Sequence, residues 1–213
     1  MKISWLGHAC FLIETAQKII TDPFDQQLGY PAPKAAADLV TVSHQHFDHN
    51  AVRTVPGKPR VIQDAGEHSA DGVTITGIRS FHDQNRGAQR GENIIFIIEA
   101  EGIRVCHLGD LGHPLDRDTR AKIGKVDVLL APVGGYYTIN AAEAKEVVEQ
   151  LNPGYAVPMH YKTKYLNLPI APADDFLKFY PGYKKETALE VQAGKIPEKT
   201  QVVLLELATG ERF

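Results

Sequence analysis

Long apolar runs, excess charge and cysteine are all scarce in this chain of 213 residues. No stretch approaches the roughly 20 apolar residues that a membrane-spanning helix needs. Basic and acidic side chains number 23 and 26, a formal charge of −3, so no global field draws the chain to nucleic acid or an anionic membrane. The N-terminal MKISWLGHACFLI is interrupted by Gly7 and His8 and followed by Glu14. It has neither the apolar core nor the cleavage site of a signal peptide, and the expected compartment is the cytoplasm. Cys10 and Cys106 lie in apolar strand-like segments, where buried thiols are expected rather than a disulfide. What is present, 43% apolar and 23% charged residues, is the composition of a globular protein. The length suits one domain over 1–213.

Repeats, low-complexity tracts and long polar linkers are missing as well. Strand patterns dominate the first half: KISWL, CFLIET, KIIT, DLVTVS, RVIQ and GVTITGI. ENIIFIIEA then turns at Ala100 to Gly102 into IRVCHL, as a hairpin. Helix patterns come later. Asn140 is placed to cap AAEAKEVVEQL, with Glu143 in the capping-box position and Ala144, Val147, Val148 and Leu151 on one face. Asn152-Pro153-Gly154 is its stop. Shorter helices are expected over Arg117–Ile123 and ADDFLKFY. With the strands VDVLLAPV, YAVPM and QVVLLEL, the mixture implies packed sheets covered by helices, an α/β (α+β) class.

Chemistry is concentrated in SHQHFDH, residues 43–49, directly behind an apolar run. On an extended chain His44 and His46 point the same way and can share one cation. After a turn beyond Phe47, Asp48 and His49 can face a neighbouring one. Zinc normally takes four or more ligands, so other segments must contribute. The same design, an apolar strand ending in a ligand, recurs: GVTITGIRSFH ends at His82, RVCHLGD at Asp110 and YAVPMH at His160. If these strands finish at one rim, His44, His46 and His82 would hold one metal and Asp48, His49 and His160 the other. Asp110 would bridge them. His68, in the polar GEHSADG, competes with His82, but its surroundings read as a surface turn. Two divalent ions are thus expected, zinc first, with manganese and iron also accepted by five histidines and two aspartates.

HQHFDH resembles the HxHxDH signature of the metallo-β-lactamase fold superfamily, and His82, Asp110 and His160 match its remaining ligand motifs in order. The similarity extends through WLGHACFLI, ITDPF, LGDLGH, PVGGYYT and PMHY. Those pieces look like the small cytoplasmic metal-dependent hydrolases that include the ascorbate-6-phosphate lactonases. The N-acyl-phosphatidylethanolamine phospholipase D enzymes share part of the pattern. The resemblance implies a four-layer αββα sandwich of two mixed β-sheets, with the site at one edge. It also implies that Asp22, in ITDPF, braces the HxHxDH loop, and that His8 stands beside the metals against substrate or leaving group.

A two-metal site lowers the pKa of a shared water to around 7 and presents the hydroxide to a polarised carbonyl or phosphoryl oxygen. The expected activity is therefore hydrolysis of an ester, lactone or phosphoester in a small molecule, with Asp48 orienting the hydroxide. Two divalent cations, two carboxylates and a hydroxide sum to about +1, which favours an anionic substrate. Lys162 and Lys164 in HYKTKY, and Arg86 and Arg90 in NRGAQRGE, are candidate grips for its carboxylate or phosphate. His113 could reach the pocket mouth, and His107, mid-strand, is expected to be structural.

Three other readings compete. A flavodiiron-type redox centre resembles HxExD, whereas His46 stands in the glutamate place here. RNA-cleaving relatives usually add an inserted domain or a basic arm; this chain has neither, and nucleic acid is not an expected partner. A metal-binding module without turnover is compatible with the same ligands. Substrate identity and oligomeric state are written in no motif.

Overall fold

Alternating and continuous apolar strands dominate the chain, and the fold is built around them. The structure, a computed structural model, describes residues 1–31 and 34–208. One mixed sheet contains β1 (Lys2–Gly7), β2 (Cys10–Glu14), β3 (Lys18–Thr21), β4 (Leu39–Thr41), β5 (Arg60–Ile62) and β13 (Leu189–Glu190), in the order β13-β1-β2-β3-β4-β5. The other contains β6 (Gly66–Ala70), β7 (Val73–Phe81), β8 (Glu92–Ala100), β9 (Ile103–His107), β10 (Val128–Pro132), β11 (Tyr155–Met159), β12 (Lys184–Glu186) and β14 (Gln201–Leu205). Its order is β12-β14-β11-β10-β9-β8-β7-β6.

The second sheet changes character midway, and the connections explain why. β6 to β9 form an antiparallel meander. Its two tight turns, Asp71-Gly72 and Glu101-Gly102, have positive φ at both residues (40° and 83°, 56° and 71°). That is what a two-residue turn needs if its twist is to match the strands, and glycine takes the second position without strain. From β9 onward the strands run parallel, and a parallel return needs a crossover. The helices α1 (Arg117–Ile123) and α2 (Ala141–Leu151) supply two of them. Strand β10 is buried at every position, as expected of a central parallel strand covered on both faces.

Helix α2 forms as its sequence dictates. The Asn140 side chain accepts from the backbone N–H groups of Ala142 and Glu143, and Glu143 Oε2 accepts from the N–H of Asn140 at 2.9 Å. Ala144, Val147, Val148 and Leu151 are buried, and full burial of a valine or leucine is worth about 1.5–3 kcal/mol. Asn152 closes the helix in the left-handed conformation, φ 42°.

Below the site the two sheets are tied by His107 at the end of β9. Its Nε2–H donates to the Ala9 carbonyl at 2.8 Å, between β1 and β2, while Nδ1 accepts from the N–H of Gly109. The Phe11 ring packs edge-on against it. His107 is therefore structural, as expected from its place in the strand. Cys10 and Cys106 are buried free thiols.

Three expectations change. GEHSADG is not a surface turn: Gly66–Ala70 is edge strand β6, paired with β7, and the turn is confined to Asp71-Gly72. Glu67 and Ser69 share an exposed face of β6, and polar side chains on an outer strand discourage pairing at its open backbone edge. The helix over ADDFLKFY shrinks to α3 (Asp174–Leu177), whose cap position is Ala173, with no side chain to accept the orphan N–H groups. Finally, β4 stops at Thr41, so His44 and His46 lie on a loop rather than an extended strand. Among the described residues no helix is long and apolar enough to cross a membrane.

Candidate metal centre

Six strands, three from each sheet, release a polar residue at the same rim immediately or shortly after they end. β1 leads to His8, β3 to Asp22, β4 to the 43–49 loop, β7 to His82, β9 to Asp110 and β11 to His160. His8, Asp22 and His160 leave their strands in the left-handed region, with φ of 53°, 38° and 51°. Such backbones cost on the order of 1–3 kcal/mol each in a non-glycine residue, so each needs a compensating tether. The His8 carbonyl has two: it accepts from the Trp5 indole at 2.9 Å and from the N–H of His160 at 3.2 Å.

Asp110 is the hub. Its Oδ2 lies 3.1 Å from His160 Nε2, 3.2 Å from His82 Nε2, 3.4 Å from His49 Nε2 and 3.9 Å from His44 Nε2. Two ligands held about 2.1 Å from one tetrahedral ion stand roughly 3.4 Å apart, so these spacings fit a carboxylate shared between cations. The surrounding donors sort into His44, His46 and His82 on one side and His8, Asp48, His49 and His160 on the other. Sequence reasoning gave the same partition, apart from His8. The His44 and His46 rings still converge, 4.6 Å between centroids, although the loop rather than a strand brings them together.

His44 Nε2, His49 Nε2 and Asp110 Oδ1, all buried around the hub, have no hydrogen-bond partner. An unsatisfied buried polar group costs about 1–3 kcal/mol, so a cluster of them facing one space is the mark of a cation site. The donor set, imidazole and carboxylate, suits a divalent metal.

For His44 and His49, hydrogen bonds on the far side of the ring set which nitrogen faces the space. Asp22 Oδ2 accepts from His49 Nδ1–H at 2.9 Å and from the Ser43 hydroxyl at 2.6 Å, while Oδ1 accepts the Ser43 N–H at 2.7 Å. With its hydrogen committed to Asp22, the Ser43 oxygen accepts His44 Nδ1–H at 2.9 Å. One carboxylate thus aims the Nε2 lone pairs of both rings inward. Asp22 also lies near His44 and His49 as a possible ligand group, but these three bonds occupy it as a brace.

Electrostatics follow the same layout. Burial, with His160 nearby, lowers the pKa of His8 to about 4, and burial with His49 lowers that of His44 to about 3. His46, on the open side, is lowered by burial and His82. All three stay neutral at pH 7, the form that binds cations. His49 goes the other way: burial disfavours its charge, but Asp110 and Asp48 outweigh it and raise the pKa. Burial pushes Asp48 up, yet His49 and the hydrogen bond from His8 hold it below the carboxylate range. Asp110 is held well below that range, His160 and His49 outweighing burial. Since Asp48 is ionised, His8 Nε2–H donates to its Oδ2, at 3.2 Å.

Three supporting residues escaped the sequence reading. Ser43 relays Asp22 to His44. Asn93, the buried polar exception in apolar β8, accepts the N–H of Asp110 at 2.9 Å and donates to the Leu108 carbonyl at 2.9 Å. Asp83, buried beside His82, accepts four backbone N–H groups of its own loop, from Asn85, Gly87, Gln89 and Arg90, at 2.7–3.0 Å. Burial pushes its carboxyl up, but those donors hold it below its ordinary value. A glycine completes this corner: a β-carbon at Gly112 would overlap the His82–Asp83 backbone, and the N–H of Gly112 donates to the Phe81 carbonyl at 3.0 Å.

Above the cluster opens a cleft of about 460 Å³. His46, Asp48, His82, Asp110 and His160 form its floor, and Gln45, Phe47, Gln89, Arg90, Tyr137 and Leu168 its walls. Other candidates lie elsewhere. His68 sits in β6 with Nε2 3.7 Å from Asp64, apart from the cluster. His113 does not turn to the cleft: Nε2 accepts the N–H of Phe81 and Nδ1–H donates to the Pro114 carbonyl.

With this geometry in hand, known proteins give the chain its place. The family model described as a beta-lactamase superfamily domain matches residues 2–160. Over 197 residues the chain is 32% identical to an Archaeoglobus fulgidus protein named UPF0173 metal-dependent hydrolase, covering 76% of this chain and 84% of that one. A crystal structure from Thermotoga maritima, described as a proposed Zn-dependent hydrolase of the metallo-β-lactamase superfamily, is 47% identical, with a TM-score of 0.82 over 96% of this chain and 97% of its own. The isothiocyanate hydrolase from Delia radicum gut bacteria, 15% identical, shares the fold alone, with a TM-score of 0.69 over 95% of each chain. The chain belongs to the metallo-β-lactamase superfamily and, within it, to the UPF0173 family of metal-dependent hydrolases. The expected pair of mixed sheets in an α/β sandwich is that superfamily's fold.

Proposed function

We propose that the protein hydrolyses an ester, lactone or phosphoester in a small anionic molecule, using two divalent ions. His44, His46 and His82 would hold one, Asp48, His49 and His160 the other, and Asp110 both. The observation that carries this reading is the hub itself: one carboxylate oxygen within 3.1–3.9 Å of four imidazoles from four separate segments. Zinc is the favoured metal because imidazole predominates, and the two buried thiols suit a reducing, cytoplasmic setting.

Metal ions bound there would supply Lewis acidity for the scissile carbonyl or phosphoryl oxygen and lower the pKa of a water to about 7. The chain's own residues do the rest. Asp48, ionised and partly open to the cleft, accepts a hydrogen bond from the attacking water and orients its lone pair. His8, expected against the substrate, is fully buried and does not line the cleft, so its role here is positioning: its Nε2–H keeps Asp48 aimed, and its own carbonyl is fixed by Trp5 and His160. The buried floor limits bulk water on one side of the reacting group.

The test joins stoichiometry to turnover. Elemental analysis should find about two metals per chain, and a panel of lactones, lactone phosphates, phosphodiesters and carboxylic esters should include at least one substrate. Lactone phosphates come first in view of the segments that resemble the ascorbate-6-phosphate lactonases. Asp110→Ala should abolish turnover and weaken metal binding beyond the roughly 100-fold ceiling typical of a bracing residue. Less than one metal per chain, or metal binding and turnover both surviving in that variant, would remove the basis of the reading.

A further inference from the structure

We infer that Arg90 determines specificity in this cleft, clamping a second oxyanionic group, a carboxylate or phosphate, that the substrate carries away from its scissile bond. This rests on the hydrolase reading above and adds to it the shape of the substrate.

Four cations were open as anion grips, and the structure separates them. Lys162 Nζ is committed to the Leu168 carbonyl at 2.7 Å. Lys164 lies over the Tyr165 ring, and Arg86 is exposed; neither lines the cleft. Arg90 alone among them stands on its wall, across from the floor of Asp48, His82, Asp110 and His160. Arg53, Arg79 and Arg104 each pair with an acidic side chain, whereas Arg90 has no such partner among the described residues.

Its setting is built to present a guanidinium. The group lies 5.5 Å from the centroid of the Tyr137 ring, within cation–π reach, and among the described residues none of its guanidinium N–H groups has an acceptor, which leaves them for two parallel bonds to one oxyanion. The backbone behind it is held. The N–H of Arg90 donates to Asp83 Oδ2 at 2.8 Å, and that of Gly91 to the Gly87 carbonyl at 2.9 Å. His82 N–H donates to the Gly91 carbonyl at 3.1 Å, so the clamp and a proposed metal ligand share one small loop. Little ordering is left for the moment of binding. Between them, Phe47 (58% exposed), Tyr137 and Leu168 offer apolar surface for the body of a small molecule. One end of such a substrate meets the floor, and its remote anion meets Arg90.

Calorimetric titration of the zinc-loaded protein with dicarboxylates from succinate to adipate, each against the monocarboxylate of matched length, reads this directly. At one chain length or more, the dicarboxylate should bind about ten- to a hundredfold tighter than its partner. Arg90→Gln should bring that ratio close to one without changing metal content, and Arg90→Lys should restore part of it. Exchanging the distal carboxylate for a phosphate assigns the preferred oxyanion by the larger Arg90-dependent ratio. In turnover, the specificity constant for nitrophenyl hemiesters of these diacids, relative to that for their neutral methyl esters, should fall by the same factor in Arg90→Gln. A wild-type ratio near one at every length, or an unchanged ratio in Arg90→Gln, overturns the clamp. Should the wild type cleave neither ester while the binding ratio stands, the hydrolase reading fails on these substrates and the clamp survives.

Discussion

Asp22 and Asp83 are both buried aspartates just past the end of a strand, and they organise different walls of one cleft by different means. Asp22 reaches across 21 to 27 residues of sequence to the Ser43 N–H and hydroxyl and to His49 Nδ1. Asp83 takes only main-chain N–H groups from its own following loop, residues 85 to 90. A wall tied through side chains cannot change a residue without losing its geometry. A wall tied through backbone can exchange Gln89 or Arg90 and keep its path. On the proposed reading, chemistry is thereby separated from selectivity within a few ångströms.

The largest expected effect is on the side-chain wall. Asp22→Ala strips the partner from His49 and strands the buried N–H of Ser43, so metal affinity should fall about 10–100-fold and stability by about 1–3 kcal/mol. Competition with a chelator and urea melts of the metal-free protein read the two effects apart. Asp83→Ala should also cost about 1–3 kcal/mol, since four donors lose one acceptor, yet leave metal content at wild-type level while the dicarboxylate preference disappears. Equal metal loss in the two variants would mean that the walls are not separate.

The smallest effect lies beneath both walls, at His107. Burial lowers its pKa below the unfolded value near 6.5, and its two nitrogens are already occupied, one as donor and one as acceptor. Its neutral form therefore contributes stability that is present above pH 6.5 and lost as the pH falls below it. His107→Gln should flatten the acid limb of stability against pH in the metal-free protein, by at most about 1.4 kcal/mol per pH unit. An identical slope in variant and wild type would show that this group does not titrate differently on unfolding.

Local signals were the legible ones. The capping box at Asn140 and Glu143 and the apolar spacing of Ala144, Val147, Val148 and Leu151 lie within one helix, and α2 has the expected bounds. The candidate ligands could be found because each strand end carries its own histidine or aspartate. Ser43, Asn93 and Asp83 could not, since their roles depend on which segments meet in space: Asn93 joins β8 to the loop after β9, and only the fold makes them neighbours. The edge strand β6 was hidden by its polar residues, although Asp71-Gly72 marked the hairpin turn. Among the four cations, only tertiary structure reveals that Lys162 is spent on a carbonyl and Arg90 is not.

At Gly112 the missing side chain acts as a gauge. The backbone that follows Asp110 seats directly on the link between His82 and Asp83, leaving no room for even a methyl group. The proposed ion-holding floor and the proposed anion-sensing loop are thus set at one separation by an atom that is not there. Variants meant for bulkier molecules would have to gain their width at other lining residues such as Phe47 or Leu168, while this corner keeps its dimension.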